Sequence, residues 1–143
     1  MAQFNSWLTQ AAANALVGAS LLVQRVPKPI SPRAHAYFDL LVFPAIMGLA
    51  AWMWQRNRRA AMLIVGHGLL EGTTAAITNF PPPGPFPLIS FRTHVGIGLA
   101  SPPLFLIVSS LVPGIPWADR KIVLLFGTLP ILVNGLSDTS KPR

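Results

Sequence analysis

Four long apolar runs, separated by basic or proline-rich segments, limit what this chain can fold into. A membrane-spanning helix needs about 20 mostly apolar residues, because the hydrocarbon layer is about 30 Å thick and each helical residue rises about 1.5 Å. The runs cover residues 34–54, 60–80, 95–112 and, from Trp117 or Ile122, up to Leu136. Only 10% of the residues are charged, against about a quarter in soluble domains. The pattern predicts an all-α integral membrane protein with four transmembrane helices.

The lengths of the connections predict two tandem helical hairpins. Short connections join the first run to the second and the third to the fourth, as in antiparallel neighbours. The connector at 81–91 begins Pro-Pro-Pro-Gly-Pro-Phe-Pro, which cannot be helical and favours a stiff, extended spacer. The expected organisation is therefore a first hairpin over 30–80, this proline-rich connector, and a second hairpin with a short tail over 92–143.

The segment 1–29 is expected to hold an interfacial helix and a linker. Residues 4–23 carry no charge but include several Asn, Ser, Thr and Gln residues, and the apolar residues Phe4, Trp7, Leu8 and Ala11 begin one helical stripe. An amphipathic helix lying in the membrane interface fits this pattern. The alternative is a fifth span.

The basic residues lie between the apolar runs, although the net charge of +7 by itself suggests nucleic acid. Lys and Arg at the ends of spans contact anionic lipid head groups, whereas nucleic-acid binding needs a concentrated positive face. The bilayer is therefore an expected partner and nucleic acid is not. Location in a bacterial inner membrane is expected, with the orientation left open. The chain has no cysteine, which excludes thiol catalysis, disulfides and cysteine-ligated zinc.

A shift of 59 residues aligns the segment 30–35 (Ile-Ser-Pro-Arg-Ala-His) with the segment 89–94 (Ile-Ser-Phe-Arg-Thr-His). The further matches are Pro44 on Pro103, Asn79 on Asp138 and, with an offset of two residues, Gly66 on Gly127. The pattern favours a duplicated hairpin with a pseudo-two-fold axis along the membrane normal. The alternative is chance similarity between two membrane-entry motifs.

Ionisable side chains inside a span are costly, at about 2.5–3.5 kcal/mol for a charge at the middle of the bilayer. The polar residues expected to cluster within one leaflet are His35, Asp39, Glu71, Asn79, Arg92, His94, Asn134 and Asp138. One interpretation is that these groups satisfy one another, with Arg33 or Arg92 neutralising a carboxylate. The other is a binding pocket or proton-accessible site with Asp39 and Glu71 as its charged members.

Helix-breaking residues accompany this cluster. The expected kinks are at Pro44, Pro102, Pro103 and Pro130, at similar depths in three runs. Kinks at one depth can open a cavity, but they can equally be ordinary bends.

His67 stands between Gly66 and Gly68, where a flat ligand has room to approach. The sequence therefore suggests ligation of haem or (bacterio)chlorophyll through His67. The alternative is close helix packing, with His67 hydrogen-bonded to Glu71 four residues on. A metal ion held by His67, Glu71 and Asp39 is a weaker hypothesis, and no metal site is predicted.

The expected function is that of a small polytopic membrane protein. A non-enzymatic subunit or assembly component of a membrane complex is the leading interpretation, with a protein partner or a homo-oligomer. A carrier or proton-coupled transporter using Asp39 and Glu71 is the first alternative, and a haem or (bacterio)chlorophyll subunit using His67 is the second. An enzyme acting on a lipid or quinone is the least supported class, and the sequence does not identify a ligand or cofactor.

Overall fold

The computed structural model describes residues 27–80 and 84–140. The predicted interfacial helix lies outside this range. The described residues form helices α1 (Pro32–Trp54), α2 (Arg58–Ala76), α3 (Phe91–Leu111) and α4 (Trp117–Gly135), with two-residue strands β1 (Thr78–Asn79) and β2 (Ile89–Ser90). The structure of this part of the chain is thus almost entirely helical, as the sequence predicts.

Side-chain caps fix where three of the helices begin. Ser31 Oγ accepts a hydrogen bond from the Ala34 backbone N–H at the start of α1, and Ser90 Oγ accepts the Thr93 N–H at the start of α3. The Asn57 side chain does the same for α2. These contacts satisfy backbone donors that the first helical turn leaves without partners.

The structure corrects two predicted boundaries around the connector. Helix α2 ends at Ala76 instead of residue 80, because Thr78 and Asn79 pair in parallel with Ile89 and Ser90. Helix α3 begins at Phe91, at the last residue of the predicted connector.

The described part of the connector is also more compact than the predicted spacer. Gly84 N–H donates to the Thr78 carbonyl, Phe86 N–H to Ala76 and Leu88 N–H to Ile77. These bonds occupy carbonyls at the end of α2 that have no partner within the helix. The segment therefore folds back onto α2 and does not stand as an extended strut.

Each hairpin packs through a close approach at a glycine. A Cβ atom on Gly68 would lie 2.4 Å from Ile46 Cγ2, and one on Gly127 would lie 2.5 Å from Phe105 Cδ1. A larger residue at either position would push the paired helices apart. The main apolar core lies between these glycines and the helix–helix turns and contains Ile46, Ala50, Met53, Ala60, Ala61, Ile64, Ile115, Val123 and Phe126.

Contacts in the two hairpins recur at an offset of 59 residues. The bounds of α2 become those of α4, since 58 + 59 = 117 and 76 + 59 = 135. The pairing of Thr78 with Ile89 recurs as the bridge between Ser137 and Ile30. Ile46 and Met47 against Gly68 recur as Phe105 and Leu106 against Gly127. Gly68 therefore occupies the position equivalent to Gly127, and the alignment of Gly66 with a two-residue offset is wrong.

Helices α1 and α3 are long and apolar enough to cross a membrane, with mean hydropathies of 1.6 and 1.5. Helices α2 and α4 do not meet the same criteria of length, hydropathy and charge. The structure thus supports two candidate spans, the first helix of each hairpin, and does not confirm four.

Candidate functional site

Two buried histidines meet where the hairpins come together. His35 lies in the first turn of α1 and His94 in the first turn of α3, each with only 1% of its surface exposed. Their Nε2 atoms are 3.1 Å apart. The serine caps fix both first turns, so the sequence places the two imidazoles at equivalent positions of the two helices.

The hydrogen bonds on the other side of each ring determine its tautomer. His35 Nδ1 lies 2.6 Å from Ser137 Oγ, and the hydroxyl hydrogen of Ser137 is donated to the Val133 carbonyl. A hydroxyl has one hydrogen, so Ser137 accepts from His35 Nδ1–H. A neutral imidazole carries a single N–H. Nε2 of neutral His35 is therefore an acceptor.

The same arrangement holds His94. Its Nδ1 lies 2.9 Å from Thr78 Oγ1, whose hydrogen is donated to the Thr74 carbonyl at 2.6 Å. His94 Nδ1–H must then be the donor, and its Nε2 is also an acceptor. Two lone pairs thus face each other, an arrangement that is unfavourable unless a positive charge lies between them.

Asp39 adds a third acceptor to this pair. Its Oδ1 lies 3.5 Å from His35 Nε2 and its Oδ2 lies 3.4 Å from His94 Nε2. Oδ2 is buried without a hydrogen-bond partner. Among the described residues, no Lys or Arg forms an ion pair with Asp39. The triad of His35, His94 and Asp39 therefore presents three acceptor atoms to one point and is a site for a cation.

Only one hairpin supplies a carboxylate. The position equivalent to Asp39 is Gly98, where a Cβ atom would lie 2.3 Å from Asn134 Nδ2. The position equivalent to Asn134 is Ala75, which lines a small cavity together with Asp39. The large and small residues are thus exchanged between the halves, and the site holds one negative charge.

A second polar group lies next to the triad. Glu71 lines the same small cavity as Asp39, and its Oε1 lies 3.8 Å from His67 Nε2 and 3.4 Å from Ser101 Oγ. The His67 ring stacks on Phe105 at 4.3 Å between centroids. Its Nε2 is buried without a hydrogen-bond partner in the described structure.

His67 also borders a cleft of about 290 Å³ between α2 and α3, whose other polar lining residue is Ser101. The atom that would ligate iron or magnesium, Nε2, is buried and faces Glu71. A tetrapyrrole would have to displace neighbouring side chains to reach it. Ligation of haem or (bacterio)chlorophyll through His67 therefore stays a prediction.

The structure separates the other residues of the predicted cluster. Arg92 is exposed, so it is not part of the buried group. Asn79 pairs with Ser90 between the strands, and Asp138 accepts hydrogen bonds from Ser140 at the end of the described chain.

The remaining predicted positions lie in the helices around the triad. Asn134 donates to the Pro130 carbonyl, and both residues line a cavity with Glu71. Pro44 and Pro103 are exposed, and Pro102 is buried. Helices α1, α3 and α4 continue through their prolines.

Sequence reasoning missed the roles of Thr78 and Ser137. Their hydroxyls set the tautomers of both histidines, yet isolated Ser and Thr residues near a helix end carry no distinctive signal. The offset of 59 residues relates them, since 78 + 59 = 137. Comparing hydroxyl residues across the two halves would have paired them. Comparison of the chain with protein-family models, curated proteins and solved structures gives no match, so a function must be argued from the geometry of this site.

Proposed function

We propose that this chain is an integral membrane protein with four spans. Helices α2 and α4 have 19 residues each, about 28 Å at 1.5 Å per residue, close to the hydrocarbon thickness. Each packs against an apolar helix that is itself a candidate span. The large apolar side chains that they expose suit a lipid environment; these are Met62, Leu69 and Leu70 on α2 and Leu125, Leu129 and Leu132 on α4.

The two hairpins are proposed to be a duplication with a pseudo-two-fold axis between His35 and His94. The recurrence of caps, strand pairings, glycine contacts and histidine–hydroxyl bonds at one offset supports this. Parallel repeats of this kind occur in transporters, where ion and substrate sites lie at the repeat interface. The triad lies at that interface.

The function that this geometry supports best is that of a small cation carrier. The observation that carries the proposal is the meeting of three acceptor atoms, with no donor among them, at the junction of two similar halves. Polar groups in a membrane interior are costly to retain and typically mark ion pathways. Glu71, which shares a cavity with Asp39, is the next acceptor on the way into α2.

The carrier is tested with purified protein in sealed lipid vesicles that contain a Zn²⁺-sensitive dye or, separately, a pH-sensitive dye. Wild type should carry a cation inwards, and Asp39→Asn should reduce its flux by at least tenfold. Asp138→Asn is the matched control, because Asp138 lies outside the triad. Equal flux in wild type and Asp39→Asn, with both folded, would refute the carrier.

A wild-type protein that carries neither cation would also refute it. Native mass measurement on the same preparation then bears on the expected subunit or assembly role, since a stable complex with another protein would favour that role. The proposed location is a bacterial inner membrane, which fractionation of the producing cell tests.

A further inference from the structure

We propose that His35, His94 and Asp39 bind one divalent first-row transition-metal ion. The inference rests on the cation site of the proposed function and names the class of cation. It does not depend on transport, because a metal ion can be held at this site whether or not it moves across the membrane.

The spacing of the three side chains fits a metal centre. Ligand atoms about 2.0–2.1 Å from a tetrahedral ion lie about 3.3 Å from one another. The two Nε2 atoms are 3.1 Å apart, and the carboxylate oxygens lie 3.4 and 3.5 Å from them. A shared proton links only two atoms along one line, whereas three nearly equal separations suit a single ion between all three groups.

The side chains are already arranged as ligands. Ser137 and Thr78 accept the Nδ1–H of the two imidazoles, which leaves both Nε2 lone pairs directed at the same point. Such outer hydrogen bonds fix the tautomer and orientation of metal-binding histidines. The hydroxyls are in turn fixed by the Val133 and Thr74 carbonyls, so the supporting bonds continue into the helix backbones.

The donor set selects the kind of ion. Two imidazoles and one carboxylate suit zinc, iron or cobalt, and leave at least one coordination position open. Calcium and magnesium prefer oxygen ligands throughout. The edge of the Phe91 ring packs on His35 and that of Phe80 on His94, so the triad is bordered by aromatic rings.

The test is metal binding by the full chain in mild detergent, after treatment with a chelator. Co²⁺ is titrated while its visible absorption is followed, and Zn²⁺ affinity is measured against a chromophoric chelator. One equivalent should bind, and His35→Gln, His94→Gln and Asp39→Asn should each lower the affinity at least 100-fold.

His67→Gln is the matched control. His67 is also a buried histidine with a carboxylate four residues on, but it lacks a second imidazole, so this variant should retain wild-type affinity. Failure of folded wild type to bind either ion would overturn the proposal. So would an equal loss of binding in His67→Gln, or no loss in Asp39→Asn.

If the ligand variants do not fold, Thr78→Val tests the same site with every ligand retained. Loss of this outer bond should lower the affinity about 10- to 100-fold, and an unchanged affinity would contradict the arrangement. The outcomes also separate the two proposals. Metal binding without flux overturns the carrier alone, whereas cation flux in a protein that binds no metal overturns the metal site alone.

Discussion

Replacing Gly68 with alanine should weaken the first hairpin, while the same change at Gly66 should not. A Cβ atom at Gly68 would lie 2.4 Å from Ile46 Cγ2 and 2.6 Å from Met47 Cε. Met47 can turn its flexible end away, but Cγ2 of Ile46 is attached to the stiff β-branched carbon, so the helices must separate. Gly66 is exposed and a Cβ atom there meets nothing within 4 Å.

The magnitude follows from comparing the two variants. Alanine gains up to about 1 kcal/mol over glycine in a helix, and this gain is common to both positions. Overpacking in a well-packed contact costs about 1–3 kcal/mol. The free energy of unfolding of Gly68→Ala should therefore be lower than that of Gly66→Ala by about 1–3 kcal/mol.

The assay is equilibrium unfolding in mixed detergent micelles, followed by tryptophan fluorescence and circular dichroism. Gly127→Ala should resemble Gly68→Ala, because Phe105 occupies the position equivalent to Ile46. Equal stabilities for Gly66→Ala and Gly68→Ala would refute the assignment of the close contact to Gly68, and with it the 59-residue register of the two hairpins.

Three further substitutions test the arrangement around the triad and at the opposite end. Gly98→Ala should destabilise the protein by about 1–3 kcal/mol, because its Cβ would collide with Asn134; adding Asn134→Ala should relieve most of this in a double-mutant cycle, and strict additivity would contradict the collision. Arg56→Gln should cost about 1.5–3 kcal/mol, since it removes a 3.0 Å bond to buried Asp119; an unchanged melting temperature argues against this. In Ser137→Ala, imidazole ¹⁵N spectra should show that one histidine no longer holds a fixed Nδ1–H tautomer, and a wild-type spectrum would exclude the proposed bond.

The sequence predicted the helices well, because helix formation by long apolar runs depends mainly on local composition. The first run, predicted to end at Trp54, does so. The end of α2 was misplaced because residues 77–80 are as apolar as a helix end, and only their pairing with Ile89 and Ser90 makes them extended.

The candidate site was predicted only in part. His35 and Asp39 lie one helical turn apart, so their proximity follows from local geometry. The approach of His94 to both depends on how the two hairpins pack, which no local pattern specifies. Arg92 was grouped with the cluster because it is only two residues from His94, but neighbouring positions on a helix point in different directions, and its side chain is exposed.

The two strand contacts give the fold the connectivity of a closed ring. Thr78 with Ile89 joins the end of α2 to the start of α3, and Ser137 with Ile30 joins the end of α4 to the start of α1. A circular permutant that runs from 84 to 140, crosses a short linker and continues from 27 to 80 would preserve both contacts. Each half would still contribute one histidine and one hydroxyl to the triad and its supports, so the order of the hairpins along the chain is not what builds the site.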